Sequence, residues 1–157
     1  MSDYCLLLRK DLTRPLAAAP GPEDVSLVPL SDDLLQPVHA LLIQGYSDGS
    51  GHVDSFGEWS HSLLHDAEFD PQLCLIALRS GVVVGVAQGW TSAYLKDLVV
   101  HARHQGQGIG QALLAKVFAV YAQRGEPWVD LKVMEGNTRA RRLYERAGMI
   151  QVQRIEL

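Results

Sequence analysis

The stretch HQGQGIGQALLAKVF, residues 104–118, constrains this chain more than any other. Glycines stand at 106, 108 and 110, directly before a run in which Ile109, Leu113, Leu114, Val117, Phe118 and Tyr121 recur at helical spacing. Each glycine costs backbone entropy on folding, and a helix start ordinarily needs only one polar cap. Three glycines at a helix entrance imply that bare backbone is wanted there. A strand-like run, residues 94–100, precedes them, so the chain reads strand, glycine turn, helix. That arrangement presents a row of unpaired N–H groups at the positive end of a helix dipole. A phosphate or pyrophosphate is the natural occupant. The turn lacks the Gly-Lys-Ser/Thr ending of a nucleoside-triphosphate loop, and it is not spaced Gly-x-Gly-x-x-Gly. No acidic residue follows a second strand as dinucleotide binding requires.

The rest of the chain organises around that unit. Residues 4–8 read as a short strand, followed by a Pro-, Ala- and Gly-rich linker over 13–24. A strand over 25–30 leads into a helix over 31–46, with Ser31 as its cap and Pro37 expected to kink it or shift its start. A flexible loop, 47–52, and a weaker helix, 55–66, come next. Three strands then follow over 73–79, 82–90 and 94–100, the first two joined by a tight turn at Arg79-Ser80-Gly81. The glycine-entry helix ends at Gly125, a strand covers 128–133, a helix covers 138–147 with Gly148 as its stop, and a strand covers 150–155. The order β, β-α-α, β-β-β, α-β-α-β predicts an α/β (α+β) domain with a mixed sheet and helices on its faces.

The bulk properties narrow the function. At 157 residues and 47% apolar content the chain is long enough for one real hydrophobic core. A net charge of −4 argues against a nucleic-acid binder, which would show a basic face. Cys5 and Cys74 lie in apolar runs, so buried free thiols and a reducing, cytoplasmic setting are expected. No apolar run reaches membrane-spanning length, and no membrane role is expected. His61 and His65 share a helical face but lack the glutamate and third ligand of a zinc motif, so no metal is expected.

The run Gln105-Gly-Gln-Gly-Ile-Gly110 resembles the Gln/Arg-x-x-Gly-x-Gly/Ala signature of the GNAT superfamily, the GCN5-related N-acetyltransferases. The resemblance extends upstream through YLKDLVVHARH, which is similar to the family's fourth strand. It extends downstream through NTRARRLYERAG, residues 137–148, which is similar to its Asn-x-x-Ala-x-x-Leu-Tyr-x-x-x-Gly segment. It implies a GNAT acyl-CoA acyltransferase fold, with a mixed, mostly antiparallel sheet that splays between the family's strands 4 and 5. Here those strands are 94–100 and 128–133. It also implies an N-terminal strand and linker extension over 1–24 and a single N-acetyltransferase domain over 25–157.

The implied cosubstrate is acetyl-CoA, with no metal. Its pantetheine arm would run along the backbone of Leu98, Val99 and Val100. Its pyrophosphate would rest on the amides of Gln105, Gly106, Gln107, Gly108, Ile109, Gly110 and Gln111. Asn137 would reach the arm or cap its helix, and Arg141 is the candidate from the basic run 139–142 for the 3′-phosphate. Tyr144 would protonate the departing thiolate; a phenol is a neutral donor near pH 7, and it also fits the apolar stripe of its helix. Asp97 is the candidate general base, with a water chain as the rival, because many relatives carry an acidic pair where this chain has Lys96 and Asp97. Strict alternation puts 96 and 97 on opposite faces. Tyr46, Asp48, Trp90 and Tyr94 are the acceptor-side candidates, in or near the groove that borders the family's acceptor. Asp48, Asp54 and Glu58 would draw an ammonium toward that loop. The implied reaction is direct attack by a primary amine of a small molecule or peptide in a ternary complex, with a homodimer as a candidate assembly. The alternative is an inactive acyl-CoA-binding sensor or regulatory subunit.

Overall fold

The computed structural model describes residues 3–49 and 51–157. Along this chain the elements are β1 (Tyr4–Asp11), β2 (Val25–Pro29), α1 (Leu35–Gly45), α2 (Phe56–Leu64), β3 (Cys74–Arg79), β4 (Val82–Trp90) and β5 (Tyr94–Val100). Then come α3 (Ile109–Gln123), β6 (Trp128–Met134), α4 (Thr138–Arg146) and β7 (Ile150–Glu156). The strands form one open sheet in the order β2-β3-β4-β5-β6-β1-β7. Every neighbouring pair is antiparallel except β5 and β6, which are parallel. The expected mixed, mostly antiparallel sheet flanked by helices is therefore what forms. β5 and β6 are in register only at Tyr94 and Asp130, and beyond that pair they part.

The apolar run LCLIAL explains how β2–β5 become covered on both faces. Successive residues of a strand point to opposite faces, so Leu75 and Ala77 enter one core while Cys74 and Ile76 enter the other. The first core lies under α3 and α4 and includes Leu113, Leu114, Val117 and Phe118. The second lies under α1 and α2 and includes Val38, Leu41, Leu42 and Leu63. Leu114 has no exposed surface; truncating such a leucine to alanine costs roughly 2–5 kcal/mol. Both cysteines are free and buried.

The far half of the sheet is built differently. β1 lies between β6 and β7, placing Leu6 and Leu8 beside Val133 and Leu131 in the first core. On the reverse face Trp128 and Met134 of β6 remain exposed. After β1 the linker crosses the start of α3: a Cβ at Gly21 would press on Ala112 at 2.9 Å and lie 3.5 Å from the Gly108 carbonyl.

Local chemistry accounts for most boundaries. Ser80 and Gly81 take φ values of +51° and +77°, the two-residue turn that joins twisted strands. Gly125 and Gly148, at φ +81° and +87°, terminate α3 and α4. The helix expected over 31–46 begins later, at Leu35, after one tighter turn over Asp32–Leu34. Ser31 does not cap it. Its hydroxyl donates to the Asp33 carboxylate instead of accepting from the backbone. Pro37 becomes the third helical residue, where a missing N–H costs no helical hydrogen bond.

Candidate active site

The glycine turn serves two separate ends. Gly106 and Gly108 have φ values of +77° and +89°, in the region that costs an L-residue roughly 1–2 kcal/mol. No atom lies within 4 Å of the position a Gly106 Cβ would take. Gly110 lies in a packed position instead, since a Cβ there would press on both Leu143 methyls at 3.3 Å. Two glutamine side chains tie the turn to its neighbours. Gln105 Nε2 donates to the Val100 carbonyl (3.0 Å), and Gln111 Nε2 donates to the Leu143 carbonyl (2.9 Å). Gln107 Oε1 accepts from Arg79 Nη1 (2.7 Å), and the Arg79 guanidinium also meets His104 and Asp24. Ala112 N is the first amide bonded within α3, to Gly108 O (3.0 Å). Gly108 supplies no side-chain cap. The amides of Ile109, Gly110 and Gln111 precede that bond and so have no carbonyl of α3 to donate to.

Around the parting of β5 and β6, Leu98 and Val100 pack against the α3 side of the sheet and Val99 against the α1 side. Asn137 Oδ1 accepts from Ala140 N (3.2 Å) and so caps α4. Arg141 Nη1 donates to the Glu135 carbonyl (2.9 Å).

Beneath the turn, α1 closes on β5. Its last residue is Gly45, where a Cβ would collide with Val99, and this close approach brings Tyr46 over the strand. The Tyr46 hydroxyl donates to Asp97 Oδ1 (2.5 Å). Burial, and then the Asp97 charge, raise the Tyr46 pKa well above its ordinary value. Tyr144, 9% exposed, is pushed up to about 12 by burial, with the Asp97 charge adding to the shift. The Cys74 thiol is pushed up to about 12 by the same two causes in the same order. Both phenols are therefore neutral hydrogen-bond donors near pH 7.

Asp97 lines a cavity of about 340 Å³ with Tyr46, Trp59, Gln88, Asp54 and Asp66. Lys96 lines the same cavity, contrary to the strict alternation expected of the strand. The cause is a bulge: Gln88 is opposite Asp97 and Gly89 is opposite Leu95, so Lys96 is the extra residue. Bulges re-aim side chains in this way. His39 Nε2 lies 2.8 Å from the Asp54 carbonyl and its ring packs on Phe56 and Trp59, which fixes this wall of the cavity to α1.

The acidic loop divides between roles. Asp54 lines the cavity and pairs with His52 (3.0 Å). The Glu58 N–H donates to Ser55 Oγ at the start of α2, and the serine hydroxyl donates back to the Glu58 carboxylate (3.1 Å). Asp48 is exposed in the turn after α1 and is not among the lining residues. Ser50, in the expected flexible loop, lies outside the described residues. Trp90 and Tyr94 line a neighbouring groove on β5. The His61 and His65 rings stack at 4.1 Å on the exposed side of α2. Sequence reasoning did not assign Gln88, Asp66 or Trp59 to the cavity. Gln88 left a visible signal as the polar residue in the apolar run VVVGVAQGW, and it is 4% exposed.

The model of the acetyltransferase (GNAT) family matches residues 38–149. The chain belongs to that family. This GNAT chain is 31% identical over 110 residues to the thialysine N-epsilon-acetyltransferase of Sus scrofa, covering 65% of the chain and 64% of the relative. It is 31% identical over 160 residues to the mycothiol acetyltransferase of Thermobispora bispora, covering 90% of the chain and 52% of the relative. The crystal structure of a GCN5-related N-acetyltransferase from Sphaerobacter thermophilus superposes with a TM-score of 0.86 at 28% identity, over 99% of this chain and 50% of that one. The GNAT chain therefore spans about half to two thirds of the length of these relatives. Among its described residues no helix is long and apolar enough to cross a membrane.

Proposed function

We propose that this GNAT chain is an acetyl-CoA-dependent N-acetyltransferase acting on a primary amine of a small molecule or peptide, with both substrates bound together. The observation that carries the reading is the entrance of α3. Its three amides without a helical partner, preceded by positive-φ glycines and free of any side-chain cap, follow β5, which parts from β6 beyond Tyr94 and Asp130. An uncapped helix start, with open space at Gly106 just before it, fits a pyrophosphate, since a Cβ at Gly108 would take up room and add strain. The edge of β5 at Leu98, Val99 and Val100 is the matching place for the extended arm. In this reading Asn137, at the start of α4, reaches the arm, and Arg141 of the same helix supplies a positive charge for the 3′-phosphate.

Two groups move protons in this reading. An acceptor enters as ammonium and must lose a proton before its nitrogen can attack the thioester carbonyl. Asp97 Oδ1 is held by Tyr46, which leaves Oδ2 to take that proton, directly or through a water. As the C–N bond forms and the C–S bond breaks, Tyr144 donates its phenolic proton to the thiolate. Burial keeps that proton on the phenol until it is needed. The thialysine and mycothiol named for two relatives are small molecules, which fits an acceptor of small size.

The test is a panel of primary amines with acetyl-CoA, reading free thiol. Thiol release that depends on the amine supports the reading. Tight acetyl-CoA binding with no release on any amine would replace it with an acyl-CoA-binding protein that does not catalyse.

A further inference from the structure

Next to the acidic cavity, on the same side of β5, lies a groove of about 530 Å³. Trp90, Tyr94 and Trp128 wall it, and it carries Lys96, Lys132 and Asp130. The Trp90 and Tyr94 rings lie 5.4 Å apart, tilted by 32°. Lys96 lines both spaces, so they adjoin. Their charges are opposite. The cavity is bordered by Asp54, Asp66 and Asp97. In the groove, Asp130 is already held by Arg9 through two hydrogen bonds of 2.8 and 2.9 Å, and Arg9 in turn lies 4.2 Å over the Trp128 ring. That pair cancels its own charge. Lys96 has its ammonium 5.7 Å over the Trp90 ring. Neither Lys96 nor Lys132 takes part in an ion pair among the described residues.

We propose that this groove is a second acceptor subsite, and that the acceptor is a primary amine carrying an anionic group at its far end. The inference rests on the acetyltransferase reading and specifies its substrate. The amine end enters the acidic cavity against Asp97. The chain between the two ends lies on the aromatic wall. The anionic end meets Lys96 and Lys132, which make no ion pair among the described residues that it would have to displace. The bulge at Lys96 and Asp97 is what allows one strand to serve both ends, because it turns adjacent residues of opposite sign toward one continuous surface. A diamine gains nothing in the groove, and a neutral amine gains only the aromatic contact.

The probes are ω-amino acids from β-alanine to aminocaproate, each beside its primary amide and an aminoalkyl phosphate of similar length. The expected result at low salt is a KM for the best anion about tenfold below that of its amide, equivalent to roughly 1.4 kcal/mol, with kcat alike. Raising the salt should narrow the gap. A carboxylate or a phosphate that outperforms the amide supports the subsite, and the better of the two names the anion. Lys132→Glu should reverse the preference in favour of the amide, and Lys96→Met should weaken it. Calorimetry with acetyl-CoA reports whether each variant is folded. Equal KM for anion and amide in the wild type overturns the inference while leaving the acetyltransferase reading in place. An unmoved KM ratio in a folded Lys132→Glu protein overturns it too. A wild type that neither binds acetyl-CoA nor releases thiol overturns the reading, and the subsite falls with it.

Discussion

The entrances of α3 and α4 lie on either side of the parting between β5 and β6, and they are built on opposite plans. α4 starts at Asn137, whose side chain accepts a hydrogen bond from the third helical amide. α3 starts at a left-handed glycine with no side chain at all. The first plan satisfies a free amide and stabilises the helix. The second forgoes that stabilisation and leaves the first amides of the helix without a side-chain cap. No atom lies within 4 Å of a Cβ at Gly106, and at Gly108 the nearest is the Gly21 Cα at 4.0 Å, so packing alone does not call for either glycine. In the proposed reading, the contrast separates an end made for stability from an end made for a ligand.

Four changes would break or sharpen that contrast. The largest effect is expected at the ligand-facing end. Gly108→Glu puts bulk and negative charge where a pyrophosphate would sit, and acetyl-CoA affinity should fall more than about 100-fold by calorimetry. Gly108→Ala serves as its control, since it shares the backbone strain but adds no charge. Next is the body of α4. Tyr144→Phe should lower kcat by about 10²-fold while acetyl-CoA affinity stays near wild type; a variant that turns over normally would make Tyr144 a packing residue.

The third effect is on stability at high pH. The folded pKa of Tyr144 lies near 12, above its ordinary value of 10.0. The native state therefore holds the phenolic proton more tightly than the unfolded chain. Its contribution is complete below pH 10 and is lost as the pH rises toward 12. Urea midpoints should therefore drop between pH 10 and 12, and Tyr144→Phe should shrink the drop. The smallest effect belongs to the capped end. Asn137→Ala should cost about 1 kcal/mol, read as a lower Tm, and should reduce acetyl-CoA affinity far less than Gly108→Glu.

What the sequence revealed of this molecule follows the range of the forces involved. The turn at 106–110 was legible because positive φ is a local demand that glycine alone meets cheaply, and Gly125 and Gly148 marked helix ends for the same reason. The alternating apolar runs placed β3, β4 and β5. The position of β1 between β6 and β7 was not legible, since it depends on pairings between residues more than a hundred positions apart. Nor was the shared exposure of Lys96 and Asp97, because a one-residue bulge breaks the alternation without a composition signal of its own. Tyr46 was legible as a residue near the acceptor region, while its hydrogen bond to Asp97 depends on Gly45 letting α1 settle against Val99. Ser31 shows the converse failure: a good capping residue finds a carboxylate two positions away before it finds the backbone.

The central claim is that the amides at the start of α3 are the ligand-facing groups. An amide-resolved NMR titration of the wild-type chain with CoA tests it most directly. The account predicts that the signals of Gly106, Gly108, Ile109, Gly110 and Gln111 shift first and furthest, while those of Thr138 and Ala140 at the capped entrance of α4 move little. A saturating titration that leaves the α3 entrance unmoved and shifts amides elsewhere would contradict it.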